Sequence, residues 1–188
     1  MNFSAIFRSF LRISAPEKTV FLGAVLAAVA TILPWFERAN FVEKNGTFSE
    51  ILTVGGGFSF FPIFGFLALF FAIFEFIFLA RNIAGFSKTL GVKNAVGAVF
   101  SAGEAVFAIF IAFFVFATAM KNDATAAFRF GFFVEFLAQF FAFFGAVFWY
   151  RADREREKMA ALRPPVSPGH LGRVPEKQLS LSDLNDRK

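Results

Sequence analysis

The sequence predicts an all-α fold: a polytopic membrane protein, a bundle of four transmembrane helices with both termini on the cytoplasmic side. Three observations carry that prediction. The 188 residues are 57% hydrophobic and 18% charged, which leaves too little polar surface to cover a water-soluble core of this size. Four apolar stretches, at about 19–35, 58–80, 94–119 and 128–150, each reach the length that ~30 Å of hydrocarbon requires at ~1.5 Å per residue. The basic residues also fall on alternate sides of those stretches. Arg8, Arg12 and Lys18 precede the first, Arg81, Lys88 and Lys93 lie between the second and third, and the tail from Arg151 is rich in Arg and Lys. The two opposite loops hold only Arg38, Lys44, Lys121 and Arg129. By the positive-inside rule the amino terminus, the middle loop and the tail are cytoplasmic.

The elements follow in order. Residues 1–15 place Phe3, Phe7, Phe10 and Leu11 at helical spacing with Arg8 and Arg12 between them, the pattern of an amphipathic helix lying in the interface, which Pro16 ends. Span 1 (19–35) is Ala-rich and closes at Pro34-Trp35, a helix stop beside an aromatic of the kind that anchors at the headgroups. Ala28-Val29-Ala30 resembles a signal-peptide cleavage site, but the apolar run continues through Leu33, past where a signal core stops. Residues 36–57 read as the longest internal loop, with a glycosylation sequon at Asn45-Gly46-Thr47. Gly55-Gly56-Gly57 lacks the Lys of a phosphate loop and reads as a flexible lead into span 2. Span 2 (58–80) tolerates Pro62 in its first turn. Span 4 (128–150) ends at the interfacial pair Trp149-Tyr150. The charge-dense run from Arg151 continues that helix into water, and the Pro- and Gly-rich segment after Arg163 has the composition of a disordered tail, so 151–188 forms a cytoplasmic tail.

Composition removes whole classes of chemistry. Cys is absent and the single histidine, His170, sits in the polar tail, so thiolate sites, histidine metal clusters and Ser-His-Asp triads are excluded. No catalytic residue, cofactor or metal is expected. The formal charge of +5 belongs to the cytoplasmic flanks and gives no reason to invoke nucleic acid. Phe, at 34 residues against 2 Trp and 1 Tyr, suits faces turned toward lipid, since it has no polar group to leave unsatisfied.

One constellation invites a functional reading. Spans 2, 3 and 4 each contain one acid, Glu75, Glu104 and Glu135, and Gln139 follows Glu135 by one helical turn. Each belongs to a row of small residues at spacings of three and four: Ala68, Ala72 and Glu75; Gly97, Ser101, Glu104 and Ala108; Glu135, Gln139, Ala142 and Ala146. The expected packing turns these rows inward and Phe70, Phe74, Phe107, Phe110, Phe114, Phe133, Phe140 and Phe144 outward. Counting ~1.5 Å per residue from the basic borders puts Glu104 and Gln139 at one level, about 16–18 Å deep, with a hydrogen bond between them. The acids have two readings. They are neutral groups that bond across helices to Ser101, Thr31 and Gln139, or they line a proton or cation path.

The function expected from the sequence is a small structural or accessory subunit of a membrane complex. The alternative is a proton- or cation-coupled transporter or channel using Glu75, Glu104, Glu135 and Gln139. The expected partners are the bilayer and a membrane protein or further copies of the chain, and the expected location is a bacterial inner membrane.

Overall fold

The computed structural model describes residues 13–44, 47–59, 62–121 and 126–162. The interfacial helix expected over 1–15, Asn45 of the sequon, and the tail beyond Leu162 with His170 lie wholly or almost wholly outside these residues. The chain forms two compact units, Met1–Arg154 and Glu155–Lys188; the described part of the second is helical and exposed.

Among the described residues there are four helices: α1 (Ala15–Ala30), α2 (Pro62–Ile83), α3 (Asn94–Lys121) and α4 (Phe130–Leu162). Strands β1 (Pro34–Lys44), β2 (Thr47–Gly56) and β5 (Ala126–Phe128) make one antiparallel sheet in the order β2-β1-β5, and β3 (Lys88–Thr89) with β4 (Val92–Lys93) makes a small hairpin between α2 and α3. The fold is mostly helical but is not all-α.

Three helices, α2, α3 and α4, are long and apolar enough to cross a membrane. The expectation of four such spans is corrected at α1, whose 16 residues cover ~24 Å and end before Trp35. Pro34 is the cause. The carbonyl of Ala30 would accept the amide of residue 34 in a continued helix, and Pro has none to give. Ala30 instead accepts the Leu33 amide at 3.1 Å and the Trp35 indole N–H at 2.7 Å. The next carbonyl, of Thr31, accepts the Gly57 amide at 3.0 Å. The helix end is thus closed by the sheet that follows it.

At its other end α1 starts at Ser14, whose amide and hydroxyl both donate to the Glu17 carboxylate, at 2.7 and 2.5 Å. The second Glu17 oxygen accepts from Asn82 of α2 at 2.6 Å, tying the first turn of α1 to the last turn of α2. Pro16, read from the sequence as a breaker, occupies the first turn of α1, where it costs little.

The stretch expected as a loop over 36–57 is the sheet. β1 pairs with β2 from Pro34↔Gly56 to Lys44↔Thr47, and with β5 at Phe36↔Phe128 through Arg38↔Ala126. Gly55-Gly56-Gly57 is not a flexible lead. A Cβ on Gly57 would stand 2.9 Å from the Trp35 ring, and one on Gly65 would stand 2.5 Å from the Gly57 carbonyl, so the glycines let sheet and α2 meet over Trp35.

The helices pack through small residues. A Cβ on Gly23 of α1 would lie 2.5 Å from the Ala142 amide of α4, and one on Gly145 would lie 2.8 Å from the Val20 amide of α1. Ala24, Ala27, Ala72 and Ala138 form a buried cluster joining α1, α2 and α4. Gly97 of α3 sits directly against the Phe78 ring of α2. Of the Phe residues expected to face outward, Phe70, Phe107, Phe110, Phe114, Phe133 and Phe144 do so, whereas Phe74 and Phe140 are half-buried, Phe74 against the cluster that holds Phe78 and Ala98.

Candidate functional site

The polar groups that the sequence places at membrane depth separate into two sets. Glu75, Glu135 and Gln139 are each 0% exposed. Glu104 is exposed. The difference follows from which stripe of α3 is buried. The sequence row ran Gly97, Ser101, Glu104, Ala108. The buried row runs Gly97, Ala98, Ser101, Ala102, Ala105, Ile109, Ala112 and Phe116. Both share Gly97 and Ser101, but alanines at 98, 102, 105 and 112 permit the closest approach and rotate the interface by about one position. Glu104 and Ala108 therefore leave it; Ala108 is only half-buried. The other packing residues, Ala68, Ala72, Gly97, Ser101, Ala142 and Ala146, are buried as expected.

The internal bonds differ from those anticipated. Gln139 Nε2 donates to Glu135 Oε1 at 2.6 Å, one turn along α4, so the amide serves its own helix and not Glu104. Ser101 donates to the Phe71 carbonyl at 3.0 Å and Thr31 to the Ala28 carbonyl at 2.8 Å. Neither hydroxyl serves an acid. Both oxygens of Glu75, Oε2 of Glu135 and Oε1 of Gln139 have no hydrogen-bond partner. Glu75 lies within electrostatic range of Glu135, and among the described residues no basic side chain acts on either. The structure thus gathers two of the three acids and the glutamine into one buried group of α2 and α4. It leaves Glu104 outside, between Phe100 and Phe107, which are 69% and 61% exposed.

The aromatic residues expected to anchor at the interface are placed otherwise. Trp35 is 0% exposed, its ring edge-on to Phe132 at 5.8 Å and to Phe36 at 6.4 Å. Trp149 is also buried, in the cluster that joins Val20 and Ala146. Their rings contact protein, and headgroup contact would need them exposed. Tyr150 is half-buried, with the Arg154 guanidinium 5.8 Å from its ring centre.

The sheet adds features that sequence reasoning missed. Arg129, just before α4, is paired with Glu37 of β1. β2 is an edge strand on which Ile51, Leu52 and Val54 are each about half exposed. Asn45-Gly46 between two runs rich in Phe, Val and Ile was the available signal for a hairpin. Among the described residues, no three acidic or histidine side chains converge on a metal site.

The architecture is that of a membrane-type helical bundle carrying a small β-sheet. No family model, no curated protein and no solved structure matches the chain.

Proposed function

We propose that this chain is a non-enzymatic subunit of a membrane assembly, held to a partner membrane protein through the outer face of α3. Glu104 carries the reading. It is exposed near the middle of an otherwise apolar helix, flanked by exposed Phe100 and Phe107. A carboxyl turned toward hydrocarbon costs on the order of 2.5–3.5 kcal/mol on insertion scales, a cost that a neighbouring helix removes by supplying a polar or basic group. A symmetric contact with a second copy of the chain would bring acid toward acid, so a different protein with a complementary group suits the surface better. The open edge of β2, with Ile51, Leu52 and Val54, offers a second contact in which a partner strand extends the sheet. In this reading the chain sits in a cell membrane, of the bacterial inner-membrane type, with both termini cytoplasmic and the sheet on the opposite side.

Purification in mild detergent tests it. The native chain brings down one stoichiometric membrane protein, and Glu104→Leu loses that partner while remaining folded and as stable as the parent or more so. Recovery of the native chain alone, with no cross-linked neighbour at position 104 in intact membranes, overturns the proposal.

A second reading, ion-coupled transport, is favoured by the buried Glu75, Glu135 and Gln139 and is placed at those residues, with Glu104 left out. It requires a cation- or pH-dependent flux in proteoliposomes that Glu135→Gln abolishes and Glu104→Gln does not.

A further inference from the structure

We propose that Glu75, Glu135 and Gln139 form a binding site for one monovalent metal cation of sodium type, enclosed between α2 and α4. The inference deepens the ion-coupled reading, but it concerns binding, and it can hold even if the chain moves nothing across a membrane.

Polar groups with neither water nor a partner are costly, and nearly all buried ones in folded proteins are satisfied. Here four oxygens on three side chains are unpartnered: both of Glu75, Oε2 of Glu135 and Oε1 of Gln139. All three residues are 0% exposed. Hydrogen-bond glue between helices does not account for Glu75, since neither of its oxygens bonds to a neighbouring helix. Gln139 is the independent indication of a ligand. Its only donors are on Nε2, which is engaged with Glu135 Oε1 at 2.6 Å, and its carbonyl oxygen is left free inside the bundle.

The donor set is oxygen only, which suits a hard cation. Charge selects among hard cations. Two carboxylates close enough to repel do not both stay ionised without compensation. An ionised Glu135, one proton on one Glu75 oxygen and one monovalent cation drawing on the other free oxygens together give a neutral site. A calcium ion takes ~6–8 oxygens and magnesium keeps much of its water, and three side chains in a closed interior supply too few oxygens for the first and exclude the water that the second retains.

The test is thermal unfolding of the purified full chain in detergent, followed by the fluorescence of Trp35 and Trp149, in sodium chloride against N-methylglucamine chloride at equal ionic strength. Sodium should raise Tm along a one-site saturation curve, and radioactive sodium should bind with a stoichiometry near one per chain. Glu75→Gln and Glu135→Gln should each lose the sodium-dependent rise, and Glu104→Gln should keep it. Should either buried-site variant fail to fold, the binding stoichiometry of the unaltered chain decides. Equal Tm in the two salts with no bound sodium overturns the proposal. So does stabilisation that follows pH alone, which would mean a proton-linked acid pair, or stabilisation by calcium but not sodium. Flux need not be measured, so a negative transport assay leaves this result standing and a negative binding assay does not depend on transport.

Discussion

Pro34 is where helix and strand meet, and its effect is local chemistry. The missing amide frees the Ala30 carbonyl, and the Trp35 indole takes that position at 2.7 Å within a fully buried pocket of Phe36 and Phe132. Trp35→Phe keeps most of the ring volume but removes the donor. It should cost about 0.5–1.5 kcal/mol, the net worth of one hydrogen bond, because the Ala30 carbonyl keeps the Leu33 amide. Denaturant titration in micelles checks this, and a loss under about 0.5 kcal/mol would show that the indole bond does not hold the turn. The acids belong to the same scale. That Glu75, Glu135 and Gln139 sit in polar positions of apolar helices was legible from their identity and their small neighbours. That Glu104 faces out was not, because Gly97 and Ser101 belong equally to two adjacent stripes of α3 and only the packing of Ala98, Ala102 and Ala105 selects between them.

At the scale of elements, small residues decide which helices touch. Gly23 and Gly103 are both helical glycines, but their surroundings differ. A Cβ on Gly23 meets the Ala142 backbone at 2.5 Å, whereas one on Gly103 finds nothing nearer than the Phe143 ring at 3.7 Å. Gly23→Ala should therefore force α1 from α4 and cost roughly 1–3 kcal/mol. Gly103→Ala should be neutral or stabilise by up to about 1 kcal/mol through helix propensity. Paired unfolding curves decide it; equal effects would mean that the α1–α4 contact is not set by Gly23. The helical core of spans 2, 3 and 4 was legible because long apolar runs need no partner to be recognised. The sheet was not, since Asn45-Gly46-Thr47 matches a sequon as well as a hairpin turn, and the runs flanking it pair only through tertiary contact.

For the whole molecule, topology turns on α1. At 16 residues it falls short of the apolar helices α2, α3 and α4, yet it packs against α4 at Gly23 and Gly145 and shares a buried cluster with α2. The topology proposed above, with both termini on one face, requires α1 to cross with the bundle. Reporters fused to the first and last residues should then be active on the same, cytoplasmic, face. Opposite faces would mean that only three helices cross.

The sequence alone determined that α2, α3 and α4 are long and apolar enough to cross a membrane, because length and hydrophobicity are properties of each segment by itself. It also determined that no cysteine or histidine chemistry operates in the helices, a matter of inventory. Tertiary structure decided where α1 stops, that Pro34–Lys44 and Thr47–Gly56 pair as strands, and which acids are buried. Those outcomes depend on contacts between residues far apart in the chain, Gly57 with Thr31, Phe128 with Phe36, and a pattern read along one segment holds no information about the surface it will meet.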